Sequence, residues 1–202
     1  MFSGTYNQSE NKNTINISAA ILAGGRNKRF GGSIKSLEKL KDKFILSHQL
    51  DVLRVKFDEI LLITNQPESF KDFREIKKYP DVFPYKGPLA GIHSAMYHSS
   101  SGFIFIVAGD MPFLKGTAID KLVNFCGHRN AVIPVSKNGT EPLHGIYNRK
   151  LLQPLESFIK NSQDLSVQSF LDHIEPYYVK VTEYKIFINI NSPQELKKYE
   201  ED

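Results

Sequence analysis

The sequence predicts an open, three-layer α/β sheet, mostly parallel, with an antiparallel strand or hairpin. Three observations carry this. The short apolar runs Ile17–Ala23 and Phe103–Ala108 read as strands buried on both faces. Stretches with apolar residues at helical spacing separate such runs, so strands and helices alternate along the chain. Asn138-Gly139, between two strand-like runs, marks a tight hairpin. A length of 202 residues suits one domain with a single core.

The elements follow in order. After the first strand, Leu46, Leu50, Leu53 and Phe57 repeat at helical spacing and predict a helix from Phe44 to Lys56. Glu59–Thr64 is the second strand. Phe70, Phe73 and Ile76 stand three apart between Pro67 and Lys77, which predicts a helix with proline in its first turn. A short strand around Pro80–Phe83 carries Asp81. Leu89, Ile92 and Met96 mark a helix entered through Gly87-Pro88. Phe103–Ala108 is the most apolar strand and predicted to be central. A helix from Thr117 to Cys126 stops at Gly127. Strands Ala131–Val135 and Pro142–Tyr147 flank the hairpin turn. Lys150–Asn161, which Pro154 must kink or delimit, and Leu165–Ile174 are helical. Tyr177–Val181 and Ile186–Ile190 are late strands. Ser192-Pro193-Gln194-Glu195 reads as a capping box opening the last helix. Residues 1–14 are rich in polar side chains and read as a flexible arm, which leaves 15–202 as one domain.

Composition excludes several classes. With 41% hydrophobic and 24% charged residues the chain is globular, not disordered. No run approaches the roughly 20 apolar residues of a membrane helix. The Ile17–Ala23 run has no basic leader and does not read as a signal peptide. A single cysteine, Cys126, rules out an internal disulfide and a multi-cysteine metal site, and fits a reducing cytoplasm. The net charge is 26 minus 22, or +4; seven basic against two acidic residues between Arg26 and Lys43 give +5, so the rest sums to −1. This segment is either a polyanion site or a solvated lysine-rich loop.

In such sheets ligands bind at the carboxyl ends of the strands, and the candidate residues follow strands. Gly24-Gly25 lets backbone N–H groups approach an anion, with Arg26, Lys28, Arg29 and Lys35 around the same loop. The segment has neither the Gly-Lys-Ser/Thr of a Walker A loop nor G-x-G-x-x-G. It serves a triphosphate, or only a turn. Asp110, after the most apolar strand, suits a Mg²⁺ ligand sharing its ion with phosphate oxygens, or caps a helix. Asp81, Gly87 and Gly91 surround a helix start where backbone can lie against a flat ring. Asn189 and Asn191 point the same way on an extended chain and could reach a metal or phosphate, or cap the last helix. The six histidines show no metal spacing, His144 being the one worth watching, and no G-x-S-x-G surrounds a serine.

Taken in order, LAGGRNKRFGGSIK, PDVFPYKGPLAGI, VAGDMPFL, EPLHGIY and FININSPQEL resemble the molybdenum cofactor guanylyltransferases, the MobA-type nucleotidyltransferases, over residues 16–200. The resemblance implies a Rossmann-like fold of the nucleotide-diphospho-sugar-transferase kind. It implies nucleotide-contacting backbone at Leu22, Ala23 and Gly24, the signature lysine at Lys35, nucleotide contacts from Asn65 and Asp81, and the magnesium ligand at Asp110. Two positions depart from the pattern: the usual Arg-Met-Gly is Arg29-Phe30-Gly31, and the aspartate before the lysine is Ile34. The implied reaction joins GTP to the phosphate of molybdopterin with Mg²⁺ and releases pyrophosphate, with Arg29 and Lys35 offsetting charge. The resemblance implies GTP and molybdopterin as the substrates, no nucleic-acid or membrane partner, and transient contacts with cofactor-receiving enzymes. The rivals are a transferase using CTP or a sugar phosphate, and a nucleotide-binding regulator without turnover.

Overall fold

The computed structural model describes residues 15–24 and 34–200. The predicted arm at 1–14, and Gly25 and Arg29 of the basic loop, lie outside the described residues.

Strand β1 (Ile17–Leu22) is followed by a small antiparallel pair, β2 (Lys39–Leu40) and β3 (Lys43–Phe44), and helix α1 (Ile45–Lys56). Then come β4 (Ile60–Ile63), β5 (Lys77–Tyr79), α2 (Pro88–His98), β6 (Phe103–Ala108) and α3 (Gly116–Val123). The second half holds β7 (Ala131–Ser136), β8 (Gly139–Thr140), β9 (Ile146–Asn148), α4 (Leu152–Asn161), α5 (Val167–Ile174), β10 (Tyr177–Lys180) and α6 (Pro193–Glu200).

The main sheet runs β10-β7-β9-β6-β1-β4-β5, with β8 paired to β7. β1 is parallel to both β4 and β6, and β9 runs antiparallel between β6 and β7. The strands β1, β4, β5, β6, β7 and β10 therefore all end on one edge. From β1 the chain moves outward through β4 and β5, then returns by α2 to the other side of β1. The strand order reverses between β1 and β6, and in open α/β sheets ligands bind in the crevice beyond the strand ends at such a point.

Alternation in the strands builds two cores. Ile17, Ala19 and Ile21 of β1 and Phe105 and Val107 of β6 face α1 and α3. Ala20, Ile104 and Ile106 face α2, α4 and α5. The one polar residue inside the β1 run, Ser18, is buried with its hydroxyl 2.7 Å from that of Ser99, which in turn donates to Glu59.

Four expectations need correction. Pro67–Phe70 is one 3-10 turn and not the start of a helix to Lys77. Phe70, Phe73 and Ile76 are buried all the same, because a spacing of three also suits tight turns. The third strand is Lys77–Tyr79, not Pro80–Phe83, so Asp81 sits in the loop beyond it. Pro142–His144 is a 3-10 turn and only Ile146–Asn148 pairs as a strand. Ile186–Ile190 forms no strand; Tyr184–Phe187 is a 3-10 turn that buries Ile186 and Phe187. Pro154 stands in the first turn of α4 and delimits it, and no described helix is long and apolar enough to cross a membrane.

His144 is fully buried, with its ring edge-on to Phe105 and Phe187 and both nitrogens without a partner among the described residues. Burial pushes its pKa from 6.5 down to about 3. Between these values the unfolded chain binds a proton that the folded chain does not. Stability therefore rises with pH across that window and is lost as pH falls through it, by up to about 1.4 kcal/mol per pH unit from this group. His144→Phe should flatten that dependence, read from denaturant unfolding at pH 7 and at pH 4.5. An unchanged pH slope would contradict a neutral buried His144.

Candidate active site

The sheet topology brings the site residues together along the crevice. β1 delivers Ala23 and Gly24, whose approach to β6 is unusually close. Gly109 N–H donates to the Leu22 carbonyl at 3.0 Å, and a Cβ on Gly109 would stand 3.0 Å from that oxygen and 3.2 Å from Ala23 Cα. Glycine at 109 thus keeps the two strand ends in contact. The Ala23 N–H is used in the sheet, donating to Ile63 O. Leu22 turns its side chain toward α2, where a Cβ on Gly91 would meet it at 3.1 Å. Gly91 therefore serves helix–sheet packing and does not face a ligand. Gly87, the residue before α2, has φ +71° with open space around its missing Cβ, so backbone conformation explains it.

Two polar groups flank the crevice. In the first, Lys35 Nζ donates to Asp110 Oδ2 at 2.9 Å and to Asn191 Oδ1 at 2.7 Å. Lys35 opens a 3-10 turn, Lys35–Leu37, that follows the basic loop. The departing residue Ile34 packs against the core beneath α1, so its apolar side chain anchors the turn that carries Lys35. Asp110 is no helix cap, since α3 begins only at Gly116. Its backbone is held from below. Gln49 of α1, fully buried, donates through Nε2 to Ala108 O at 2.7 Å and Met111 O at 3.0 Å, on either side of Asp110. The Asp110 carbonyl accepts the Ile190 N–H at 2.8 Å, which seats the segment bearing Asn189 and Asn191. Asn189 Oδ1 is buried without a partner among the described residues.

The second group lies across β1. Asn65, after β4, donates through Nδ2 to Asp81 Oδ2 at 2.7 Å and accepts the Asp81 N–H at 2.9 Å. The Ser94 hydroxyl on α2 accepts the Val82 N–H at 2.8 Å, which pins the same loop. Asp81 Oδ2 lies 4.0 Å from where a Cβ on Gly24 would stand. Burial pushes the Asp81 carboxyl above its ordinary value and the Asn65 amide pulls it back.

The sequence offers Lys35, Asn65, Asp81, Asp110, Asn189 and Asn191 as separate candidates; the structure joins Lys35, Asp110 and Asn191 into one group and Asn65 and Asp81 into the other, with Asn189 on the segment that carries Asn191. Sequence reasoning missed Gln49 and Ser94. A glutamine among the buried leucines of α1 was the available signal for Gln49; nothing local distinguishes Ser94.

The profile of the MobA-like NTP transferase domain matches residues 19–177, most of the chain. The chain belongs to the MobA-like NTP transferase family. Curated relatives agree. A probable molybdenum cofactor guanylyltransferase of Clostridium perfringens is 33% identical over 189 residues, covering 90% of this chain and 94% of its own. A molybdenum cofactor guanylyltransferase of Desulfosudis oleivorans is 28% identical, with 91% and 94% covered. Among solved structures, molybdopterin-guanine dinucleotide biosynthesis protein A from Archaeoglobus fulgidus superposes with a TM-score of 0.78 at 27% identity, covering 91% and 97% of the two chains. As a MobA-like transferase the chain is a nucleotidyltransferase, and its open, mostly parallel sheet is that of the family.

Proposed function

We propose that this chain transfers GMP from GTP to the phosphate of molybdopterin and releases pyrophosphate. The observation that carries the reading is the convergence of Lys35, Asp110 and Asn191 at the crevice, opposite Asn65 and Asp81. A phosphate oxygen of the acceptor attacks the α-phosphorus, the bond to the β-phosphate oxygen breaks, and pyrophosphate leaves with the electron pair. The nucleophile is already an anion, so no strong base is required. Positioning and electrostatic stabilisation dominate instead. This agrees with a site that has no histidine or cysteine: His144 is enclosed in the core, and Cys126 is buried with its thiol pushed up to about 12.

The residues fit a magnesium ion. Asp110 and Asn191 turn hard oxygens toward one cationic group, the Lys35 ammonium, and the Asn189 oxygen is a buried acceptor without a partner. No group of three or more His, Cys, Asp or Glu suited to a metal occurs among the described residues. Mg²⁺ takes one or two carboxylates plus phosphate oxygens, and Asp110 supplies such a carboxylate. Asp110 would hold it, and when bound it neutralises phosphate charge. Lys35 offsets charge building at the α-phosphate, with Arg29 from the preceding loop. The backbone N–H groups of Gly24 and Gly25 receive the triphosphate, Leu22 and Ala23 contact the nucleotide beside them, and Asn65, Asp81 and Gly87 border the nucleoside. A cytoplasmic setting and transient contacts with enzymes receiving the cofactor belong to the same reading.

Guanine has two adjacent N–H donors on its Watson–Crick edge, and a carboxylate can accept both. If Asp81 reads them, Asp81→Asn should weaken GTP binding by about tenfold or more, at roughly 1.4 kcal/mol per tenfold, and leave weak CTP binding unchanged. Equal loss for both nucleotides, by calorimetry, would move Asp81 to the ribose or to the loop. Pyrophosphate release with molybdopterin, comparing GTP with CTP and a sugar phosphate with molybdopterin as acceptor, tests the reaction. No release with any pair would favour a nucleotide-binding regulator.

A further inference from the structure

We infer that Glu195, on the last helix, is a positioning residue for the transfer, acting through Asn191 on the Lys35 ammonium. The inference rests on the proposed function, in which Lys35 serves the reacting phosphates. Asn191 Oδ1 accepts from Lys35 Nζ at 2.7 Å. Asn191 belongs to no strand or helix, so its short side chain can aim at the ammonium only if its backbone is tied from outside. Two bonds tie it. The neighbouring Ile190 N–H donates to Asp110 O at 2.8 Å, and the Asn191 N–H donates to Glu195 Oε2 at 2.7 Å.

The second bond departs from ordinary capping. In a capping box the third-position glutamate turns back to the N–H of the cap residue itself. Here the cap is Ser192, whose hydroxyl accepts the Glu195 N–H at 3.2 Å, yet the Glu195 carboxylate reaches one residue further, to Asn191. A carboxylate on a backbone N–H is a charge-assisted bond, stronger than a neutral one. The chain of contacts is therefore Glu195 to Asn191, Asn191 to Lys35, and Lys35 to Asp110. The helix does not depend on this contact to stay in place. Leu196 packs with Ile190, Leu40 and Ile45, and the Leu196 N–H donates to Ser192 O at 3.1 Å.

The test is steady-state pyrophosphate release from GTP and molybdopterin with the full chain, in Glu195→Ala, Glu195→Gln and Asn191→Ala and in the double variant. Glu195→Ala should lower kcat about tenfold, as removal of outer partners of a reactive site does, with the KM for GTP within about twofold. Glu195→Gln should stay near the parent, because its amide oxygen accepts the same N–H. In the Asn191→Ala background the Glu195→Ala cost should vanish. Gln194→Gly weakens the same helix without touching Asn191; it should leave kcat unchanged. A Glu195→Ala loss that persists without Asn191, or that Gln194→Gly reproduces, would reduce Glu195 to a helix cap. Amide exchange separates failure of this inference from failure of the function. If no pair of substrates reacts, Glu195→Ala must still speed exchange at Asn191 by about tenfold or more, and unchanged exchange overturns the inference.

Discussion

Asp110→Asn is expected to give a folded protein whose Mg²⁺-dependent pyrophosphate release is lower by at least about a hundredfold, the loss typical of removing one strong electrostatic stabiliser. The side chain sits beyond the end of β6 and is held through its backbone, by the Gln49 amide on the flanking carbonyls and by Ile190 on its own. None of these bonds involves the carboxylate. An amide of the same shape can still accept from Lys35, so stability should change by about 1 kcal/mol or less. What disappears is the negative charge that a hard cation needs. Pyrophosphate release measured over a Mg²⁺ titration, beside a thermal melt, checks both halves. A folded variant with near-normal turnover would remove the metal assignment from Asp110 and direct the search to the Asn189 and Asn191 oxygens.

Lys35→Ala should lower turnover by about a hundredfold while weakening GTP binding much less, because the charge it offsets grows mainly in the transition state. The ammonium is part-buried, and its two partners point it at the crevice. Lys35→Arg should not restore activity, since a planar guanidinium cannot occupy the same position between one carboxylate and one amide oxygen. Turnover and GTP affinity measured on the same preparation decide it. Loss of affinity with turnover intact would give Lys35 a binding role alone.

Elements buried on both faces were legible because their own side chains specify them. Phe103–Ala108 is a strand with the bounds its apolar run predicts, and the first strand differs by one residue. A hairpin forms where Asn138-Gly139 predicts one, but its two turn residues are Lys137 and Asn138; Gly139, at φ +116°, already pairs with Ser136 as the first residue of β8. The segment before Asp81 was not legible. β5 reads Lys77-Lys78-Tyr79, with no apolar alternation, because it is the edge strand and its pairing is decided by the backbone groups of β4 on the side away from β1. The run from Ile186 to Ile190 has strand-like composition, but among the described residues it pairs with no strand; Ile186 and Phe187 are buried from a 3-10 turn, and Ile190 packs with Leu40, Ile45 and Leu196.

The sequence by itself determined the strand–helix alternation, the hairpin, the proline and glycine boundaries, and the identity of the polar residues that follow each strand. These depend on side-chain periodicity and on local backbone preferences, which act over a few residues. Only the tertiary structure decided who meets whom. Lys35 and Asn191 are 156 positions apart, and Lys35 and Asp110 are 75 apart, and no local preference couples them. The parallel pairing of β1 with β6 brings those strand ends within contact, and glycine at 109 lets them close. The same holds for Gln49, which reads locally as an ordinary helix residue and meets the Ala108 and Met111 carbonyls only when the sheet places that strand end beside α1. Glu195 differs: its bond to the Asn191 N–H spans four residues and is local, and only the reach of Asn191 to Lys35 is tertiary.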